Sequence, residues 1–116
     1  MLKEHLEFFT LDLSMGWETP PGYPLGIQQK ILAGHLDEEK REGSRTRLLR
    51  FEPGAFTSEP FEHDYWEEVF LVSGGLIVGE ETFHPYTYAC RPPHTPHGPF
   101  RSEEGCLLME IHYFHL

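Results

Sequence analysis

Proline and glycine are spread so evenly through this chain that they leave little room for helices. Ten prolines and eleven glycines occur among its 116 residues. The three longest windows free of both are Met1–Met15, Phe61–Ser73 and Cys106–Leu116. Proline breaks a helix interior and glycine weakens it, whereas short strands fit easily between such residues. The spacing therefore predicts an all-β protein.

Strand patterns separated by turn residues recur along most of the chain, which is typical of a barrel or sandwich. Connections are predicted at His35–Ser44, Glu80–Tyr86 and Pro92–Pro99, with turns at Pro53-Gly54 and Ser73–Gly75. In the last predicted strand, Leu107, Met109, Ile111 and Tyr113 share one face. The predicted strands are Ile27–Leu32, Arg45–Phe51, Glu67–Val72, Leu76–Gly79, Thr87–Arg91 and Cys106–Phe114.

The first 25 residues differ from the rest and are predicted to form an N-terminal extension to a barrel of residues 26–116. Phe9, Leu11, Leu13 and Met15 alternate with polar residues, so we expect a short helical or frayed start and then a strand over Phe9–Met15. The segment from Gly16 to Pro24 contains three prolines and excludes a regular element.

Charge and composition narrow the classes of partner. The formal net charge of −10 argues against binding to nucleic acid or to an anionic membrane, because like charges repel. No apolar run is long enough to span a bilayer, and no secretory signal is visible, so a cytoplasmic location is expected. Cys90 and Cys106 are too few for a disulfide scaffold and are predicted to be buried strand thiols.

Chemistry-bearing residues gather in two segments about thirty residues apart. FEHDYWEEVFLVSGG contains His63, Glu67 and Glu68, and CRPPHTPHGPF contains His97 between prolines. Side chains at alternate positions of neighbouring strands point into one cavity, so ligands from separate segments can converge there. Prolines restrict the unfolded chain and lower the entropic cost of holding an imidazole in place. The pattern indicates a metal site, with Glu67 and Glu68 on opposite faces of their strand.

The other titratable residues have simpler interpretations. His94 is expected in a loop near the mouth of the barrel, and His112 is expected to pair with Glu110 on the surface. Tyr65, Tyr88 and Arg91 could bind an anionic or carbonyl oxygen, although an ion pair with a glutamate also accounts for Arg91. The remaining histidines are predicted to lie on the surface: His5, His35, His84 and His115.

The two segments resemble the motifs of the cupin superfamily. His63, three residues, Glu67, six residues and Gly74 match the second half of its first motif, and Glu68 with Gly75 matches the alternative spacing. Pro92 to His97 resembles its second motif. The resemblance covers roughly residues 51 to 113 and implies a double-stranded β-helix, the cupin jelly-roll barrel. Within the superfamily, the two segments resemble those of small bacterial single-domain cupins, some of which are similar to anti-sigma-factor cupin domains and to diketone-cleaving dioxygenases.

The chain departs from those motifs at a few positions. Phe61 stands where the family has its first histidine, the second-motif glycines are replaced by Tyr86 and His94, and Arg101 replaces an asparagine. The resemblance then implies a metal held by His63, Glu67 and His97. A further ligand could come from three other residues: Glu59, Glu62 or His112.

Two histidines and one carboxylate are the ligand set of non-haem Fe(II) oxygenases, although Zn, Mn, Ni and Cu also accept such ligands. We therefore expect an oxidoreductase, a dioxygenase of a small carbonyl or aromatic compound, with Arg91 or Tyr65 orienting the substrate. The resemblance also implies a homodimer. The alternative is a non-catalytic cupin module that binds or senses a metal or a small ligand.

Overall fold

Eight strands, all paired antiparallel, make up the regular structure of the part of the chain that the structure describes. The computed structural model describes residues 3–115 and contains no helix in that range. The prediction of an all-β protein is confirmed. The strands are β1 Ile27–Asp37, β2 Glu42–Phe51, β3 Trp66–Gly74, β4 Leu76–Val78, β5 Glu81–Phe83, β6 Tyr88–Arg91, β7 Phe100–Arg101 and β8 Cys106–Tyr113. The described part of the chain has no helix that could span a membrane.

The strands form two sheets that face each other. The larger sheet has the order β1-β2-β8-β3-β6, and the smaller has the order β5-β4-β7. The apolar core fills the space between them, because successive side chains of a strand point to opposite faces and one face of each sheet is turned inward. Its buried members come from five strands: Ile27, Leu49, Phe51, Val69, Leu71, Leu76, Cys106 and Leu108.

The β1–β2 hairpin is longer than the sequence pattern predicts. Much of the predicted connection His35–Ser44 lies in strands, and a turn at residues 38–41 joins them. Gly34 and Gly43 allow the backbones of β1 and β2 to approach each other closely in this part of the hairpin. Both have positive φ angles, of 82° and 89°, and a Cβ on either would lie 2.2 or 2.3 Å from a backbone oxygen of the facing strand.

Two further short strands were also missed. β5 lies inside the predicted connection Glu80–Tyr86, and β7 follows the predicted loop Pro92–Pro99. Both contain three residues or fewer, which is too short for a period-two pattern to identify. The predicted turn Ser73–Gly75 shrinks to Gly75 alone, because Ser73 and Gly74 continue β3.

The predicted strand Phe9–Met15 is wrong. Residues 3–15 contain neither strand nor helix, and Phe9, Leu13 and Met15 are 61%, 44% and 63% exposed. Alternation alone does not make a strand, because the backbone also needs a neighbouring edge with which to exchange hydrogen bonds. Instead, Asp12 accepts hydrogen bonds from the backbone and hydroxyl of Ser14, a local turn that competes with strand pairing.

Candidate metal centre

The structure brings the three predicted ligands together at one end of the barrel interior. His63 precedes β3, Glu67 is the second residue of β3, and His97 lies in the loop after β6. A backbone bridge holds the two segments side by side, with Phe61 and His97 exchanging N–H···O bonds of 2.7 and 2.9 Å. One donor atom from each predicted ligand lies within 4.8 Å of the others.

Hydrogen bonding at His97 and burial at His63 favour the neutral imidazole form that a metal ligand needs. His97 Nδ1 is 2.9 Å from the carbonyl oxygen of Thr95, an acceptor, so in the neutral ring Nδ1 carries the proton and Nε2 is bare. His97 Nε2 lies 3.5 Å from Glu67 Oε1, and His63 Nε2 lies 3.8 Å from Glu67 Oε2. Burial lowers the pKa of His63 to about 4, so that imidazole is neutral at neutral pH.

The His63 ring nitrogen tests whether these residues fit a metal ion. His63 Nε2 is the one buried side-chain nitrogen or oxygen in residues 3–115 that has no hydrogen-bond partner. Leaving such an atom unpaired costs about 1–3 kcal/mol, and a cation between the three groups would remove that cost. Neutral imidazoles and a carboxylate are also the ligands that first-row divalent metals accept. The residues present therefore fit a divalent metal.

Glu67 and Glu68 point to opposite sides of β3, as the alternation requires. Glu67 is 4% exposed and faces the barrel interior. Glu68 lies on the outer face, where its carboxylate accepts hydrogen bonds from the hydroxyls of Tyr88 and Tyr113. Those bonds lower the pKa of Glu68. Of the two carboxylates, only that of Glu67 can reach the imidazoles.

Arg91 and Tyr65 both lie against the predicted ligands. Arg91 is opposite Glu67 in the β3–β6 register and donates from Nη1 to Glu67 Oε1 at 2.8 Å, the ion pair with a glutamate that its sequence context allows. The buried ring of Tyr65 stacks on His63 at 4.6 Å between centroids. Burial raises the pKa of Tyr65, which keeps its hydroxyl protonated. The roles of Arg91 and Tyr65 toward a substrate remain predictions.

His112 is a buried residue of the site, which the sequence analysis expected on the surface beside Glu110 and also offered as a further ligand. It is 0% exposed, faces Glu67 in the β3–β8 register, and its Nε2 lies 3.0 Å from Glu67 Oε2. Its predicted pairing with Glu110 exists, at 3.3 Å, but it is buried. The inward face of β8 carries Cys106 and Leu108 before Glu110 and His112, whereas the more apolar face points outward. Glu110 and His112 follow the inward-facing Leu108 at intervals of two residues. That spacing is the sequence signal that could have placed Glu110 and His112 inside the barrel.

A buried network continues from His112 away from the metal site. Arg47 donates from Nε and Nη2 to Glu110 Oε1 at 3.0 and 2.8 Å, and from Nη1 to Gln29 at 2.7 Å. Burial by itself raises the pKa of Glu110, but the Arg47 charge and the bond to His112 outweigh it and hold that pKa well below its usual range. Both charges are therefore paired in the interior.

The remaining candidates lie outside this cluster. Glu59 and Glu62 are exposed, and neither belongs to a group of potential ligands in the described residues. His94 is an exposed loop residue, as expected. Cys106 is buried, but the burial predicted for Cys90 is wrong, because Cys90 is on the outward face of β6. The histidines predicted at the surface are exposed: His5, His35, His84 and His115.

The space around the site is divided into three parts. A cavity of about 30 Å³ lies in the barrel beside Glu67, His97 and Arg91. A larger apolar cavity of about 280 Å³ shares Arg91 with it and opens between the two sheets. A surface groove of about 530 Å³ ends at Tyr23 and Phe61, which also line the small cavity and whose rings stack at 4.8 Å.

A small antiparallel barrel with histidines and a glutamate meeting inside it defines a class of protein, the cupins. The family of the ChrR cupin-like domain matches residues 9–113, and this chain belongs to that family. The predicted cupin fold is thereby confirmed. No curated protein matches the chain.

Three solved structures share the fold at low sequence identity. An acetylacetone dioxygenase from Acinetobacter johnsonii is 17% identical, with a TM-score of 0.69 over 95% of this chain and 75% of its own. An RmlC-like cupin from Shewanella frigidimarina is 18% identical, with a TM-score of 0.69 over 99% of this chain and 96% of its own. The complex of SigE with the anti-sigma ChrR from Rhodobacter sphaeroides contains a chain that is 18% identical. It aligns with a TM-score of 0.62 over 86% of this chain and 50% of its own.

Proposed function

We propose that this chain is a metal-dependent enzyme that acts on a small carbonyl or aromatic compound, with dioxygenase chemistry as the specific reaction. The observation that carries the proposal is the unpartnered Nε2 of His63, buried and facing Glu67 and His97. Burying a polar atom without a partner is unfavourable for stability, and residues held in this way are characteristic of functional sites.

His63, Glu67 and His97 would hold the metal, and Fe(II) is the ion that best suits two imidazoles and one carboxylate. When bound, such an ion polarises substrate oxygens and, as iron, supplies electrons to dioxygen. Zn, Mn, Ni and Cu remain alternatives for the same ligands. The dioxygenase reaction is supported by the fold that this chain shares, at 17% sequence identity, with an acetylacetone dioxygenase.

The chain's own residues define how a substrate would be placed. Arg91 faces both the small cavity and the larger apolar one, so its N–H groups can orient a substrate oxygen beside Glu67. Apolar side chains from both sheets would cover the body of the substrate and exclude water, which strengthens that interaction. We propose that substrate enters between the sheets, because the stacked rings of Tyr23 and Phe61 lie where the surface groove meets the small cavity. The residues covering the substrate would be Val69, Leu71, Leu76, Val78, Phe83 and Leu108.

Metal analysis and oxygen consumption test the proposal together. Protein purified without chelators is expected to contain one metal ion per chain and to consume oxygen with a β-diketone or a hydroxylated aromatic compound. His63→Ala and His97→Ala should both lose the metal and the activity. His94→Ala, a histidine of the same loop that is exposed, is the matched control and should retain both. Metal-free wild-type protein, or metal retained in both site variants, would overturn the proposal.

A second candidate function is a binding or sensing module. The family match favours a sensing module, because the family takes its name from ChrR and the ChrR in the solved complex with SigE is an anti-sigma protein. Such a module would bind a metal and a small ligand without turnover. Tight binding of a carbonyl or aromatic compound by calorimetry, with no oxygen consumed under any metal, would favour the sensor over the enzyme.

A further inference from the structure

His112 is held from both sides by hydrogen bonds that determine where its proton lies. The guanidinium of Arg45 approaches His112 Nδ1 with Nε at 3.1 Å and Nη2 at 2.7 Å. A guanidinium has only donors, so Nδ1 must present its lone pair to Arg45. In a neutral imidazole the proton then lies on Nε2.

The other nitrogen of the ring faces acceptors. His112 Nε2 is 3.0 Å from Glu67 Oε2 and 3.3 Å from Glu110 Oε1. Ionised carboxylates only accept hydrogen bonds, and Arg47 keeps Glu110 ionised with two bonds to the same oxygen. A proton on Nε2 therefore gives both carboxylates a hydrogen-bond donor. A bare Nε2 would instead place a lone pair against two carboxylates in a fully buried position.

We infer that His112 is a positioning residue for Glu67 and not a ligand of the metal. This inference rests on the proposed metal site. With His112 donating to Oε2 and Arg91 donating to Oε1 at 2.8 Å, both oxygens of the Glu67 carboxylate are fixed in direction. Hydrogen bonds of this kind orient metal ligands.

The number of protein ligands decides whether the metal site of this chain is open or closed. Phe61 occupies the position at which the resemblance places the first family histidine, and its ring lies 6.1 Å from that of His63. If His112 does not replace that ligand, the protein supplies three ligands: His63, Glu67 and His97. Catalytic metal sites have such open positions, whereas structural sites use four protein ligands. The tautomer of His112 therefore separates an open site from a closed one.

The tautomer can be measured without metal. In the metal-free full chain, long-range ¹H–¹⁵N NMR spectra of the imidazole nitrogens are expected to show His112 protonated on Nε2 and bare on Nδ1. Arg45→Met should weaken that preference. Arg50→Met is the matched control, since Arg50 donates to Gln28 away from the site, and it should leave the spectrum unchanged. A proton on Nδ1 of His112 in the wild-type protein would overturn the inference, whatever the metal data show.

Metal binding gives the second measurement, with Zn²⁺ as the probe. His112→Phe is expected to weaken Zn²⁺ binding by about 10–100-fold, the usual effect of losing a residue that supports a ligand. His112→Gln should restore binding to within about threefold, because its amide N–H can replace the Nε2 donor. X-ray absorption spectra should count two imidazoles on Zn²⁺ in the wild type and in His112→Gln.

Three imidazoles in the wild type, or a folded His112→Gln that binds as weakly as His112→Phe, would show that His112 is a ligand. Should the wild-type chain bind no metal at all, the proposed function fails, and the NMR measurement still decides the tautomer of His112.

Discussion

The barrel interior has two halves that differ in chemistry although the same strands build both. Near the end of the barrel that contains His63, the inward positions of β2, β3 and β8 carry Arg47, Glu67, Glu110 and His112, all buried. Farther along the same faces the inward positions are apolar: Leu49, Phe51, Val69, Leu71, Cys106 and Leu108. The register places the boundary at one level, because Glu110 lies opposite Arg47 while Leu108 lies opposite Leu49.

The contrast between the polar and the apolar half shows that different parts of one small core provide stability and chemistry. Apolar burial stabilises the fold by about 25 cal/mol per Å², whereas buried ion pairs contribute little net stability and are costly when one partner is lost. In the polar half, each buried group described above has a partner except His63 Nε2. The apolar half thus stabilises a barrel in which the polar half can hold an unpartnered nitrogen ready for a ligand.

Removing one partner of the buried ion pair should have the largest effect. Glu110→Ala leaves the Arg47 charge buried without a counter-charge, and we expect the free energy of unfolding to fall by about 3–5 kcal/mol. Urea unfolding of the metal-free protein, followed by circular dichroism, measures it. The double variant Arg47→Met with Glu110→Leu is the control and should come within about 1 kcal/mol of the wild type or exceed it. A double variant as unstable as the single one would show that the polar half stabilises the fold.

Truncating a side chain in the apolar half should have a somewhat smaller effect and one confined to stability. Leu71 is 2% exposed, and Leu71→Ala is expected to lower the free energy of unfolding by about 2–5 kcal/mol, because it removes buried methyl groups and leaves a cavity. Its Zn²⁺ affinity at a temperature where it is fully folded should equal that of the wild type. A parallel loss of metal affinity would contradict the division between the two halves.

The smallest expected effect is a dependence on pH that belongs to the polar half. The pKa of Glu110 is depressed in the folded protein and ordinary, near 4.5, once the chain unfolds. Its contribution to stability is therefore complete above pH 4.5 and is lost as the pH falls toward the depressed value. Unfolding of metal-free protein between pH 6 and 3 should show a steeper loss of stability in the wild type than in the Arg47→Met, Glu110→Leu variant. Equal slopes would contradict this assignment.

Local patterns predicted much of this architecture because short strands depend on their immediate sequence. Proline and glycine exclude helices, and alternation identifies β3 and β8 within one or two residues. The spacing from His63 to Glu67, together with the proline-flanked His97, selected the three groups that the structure brings within 4.8 Å. Their assignment as metal ligands remains a prediction.

Long-range pairing decided what those patterns could not. The outward face of β8 is the more apolar one, with Leu107, Met109 and Ile111, so hydrophobicity alone points to the wrong inward face. Phe9–Met15 alternates as regularly as a strand but pairs with no strand of the described residues. Whether such a segment becomes a strand depends on hydrogen bonds to residues distant in sequence.

The amino-acid sequence by itself determined that the chain is an all-β barrel of the cupin type and that two segments would supply histidines and a carboxylate. The β-strands follow from turn residues and side-chain periodicity, which act over a few positions, whereas the cupin type follows from the resemblance of the two segments to the cupin motifs. Only the tertiary structure decided that His112, 45 residues from Glu67, donates to its carboxylate, and that Arg45 fixes that donor. These contacts depend on the register of β2 and β3 on β8, and a shift of one residue would turn each side chain to the opposite face.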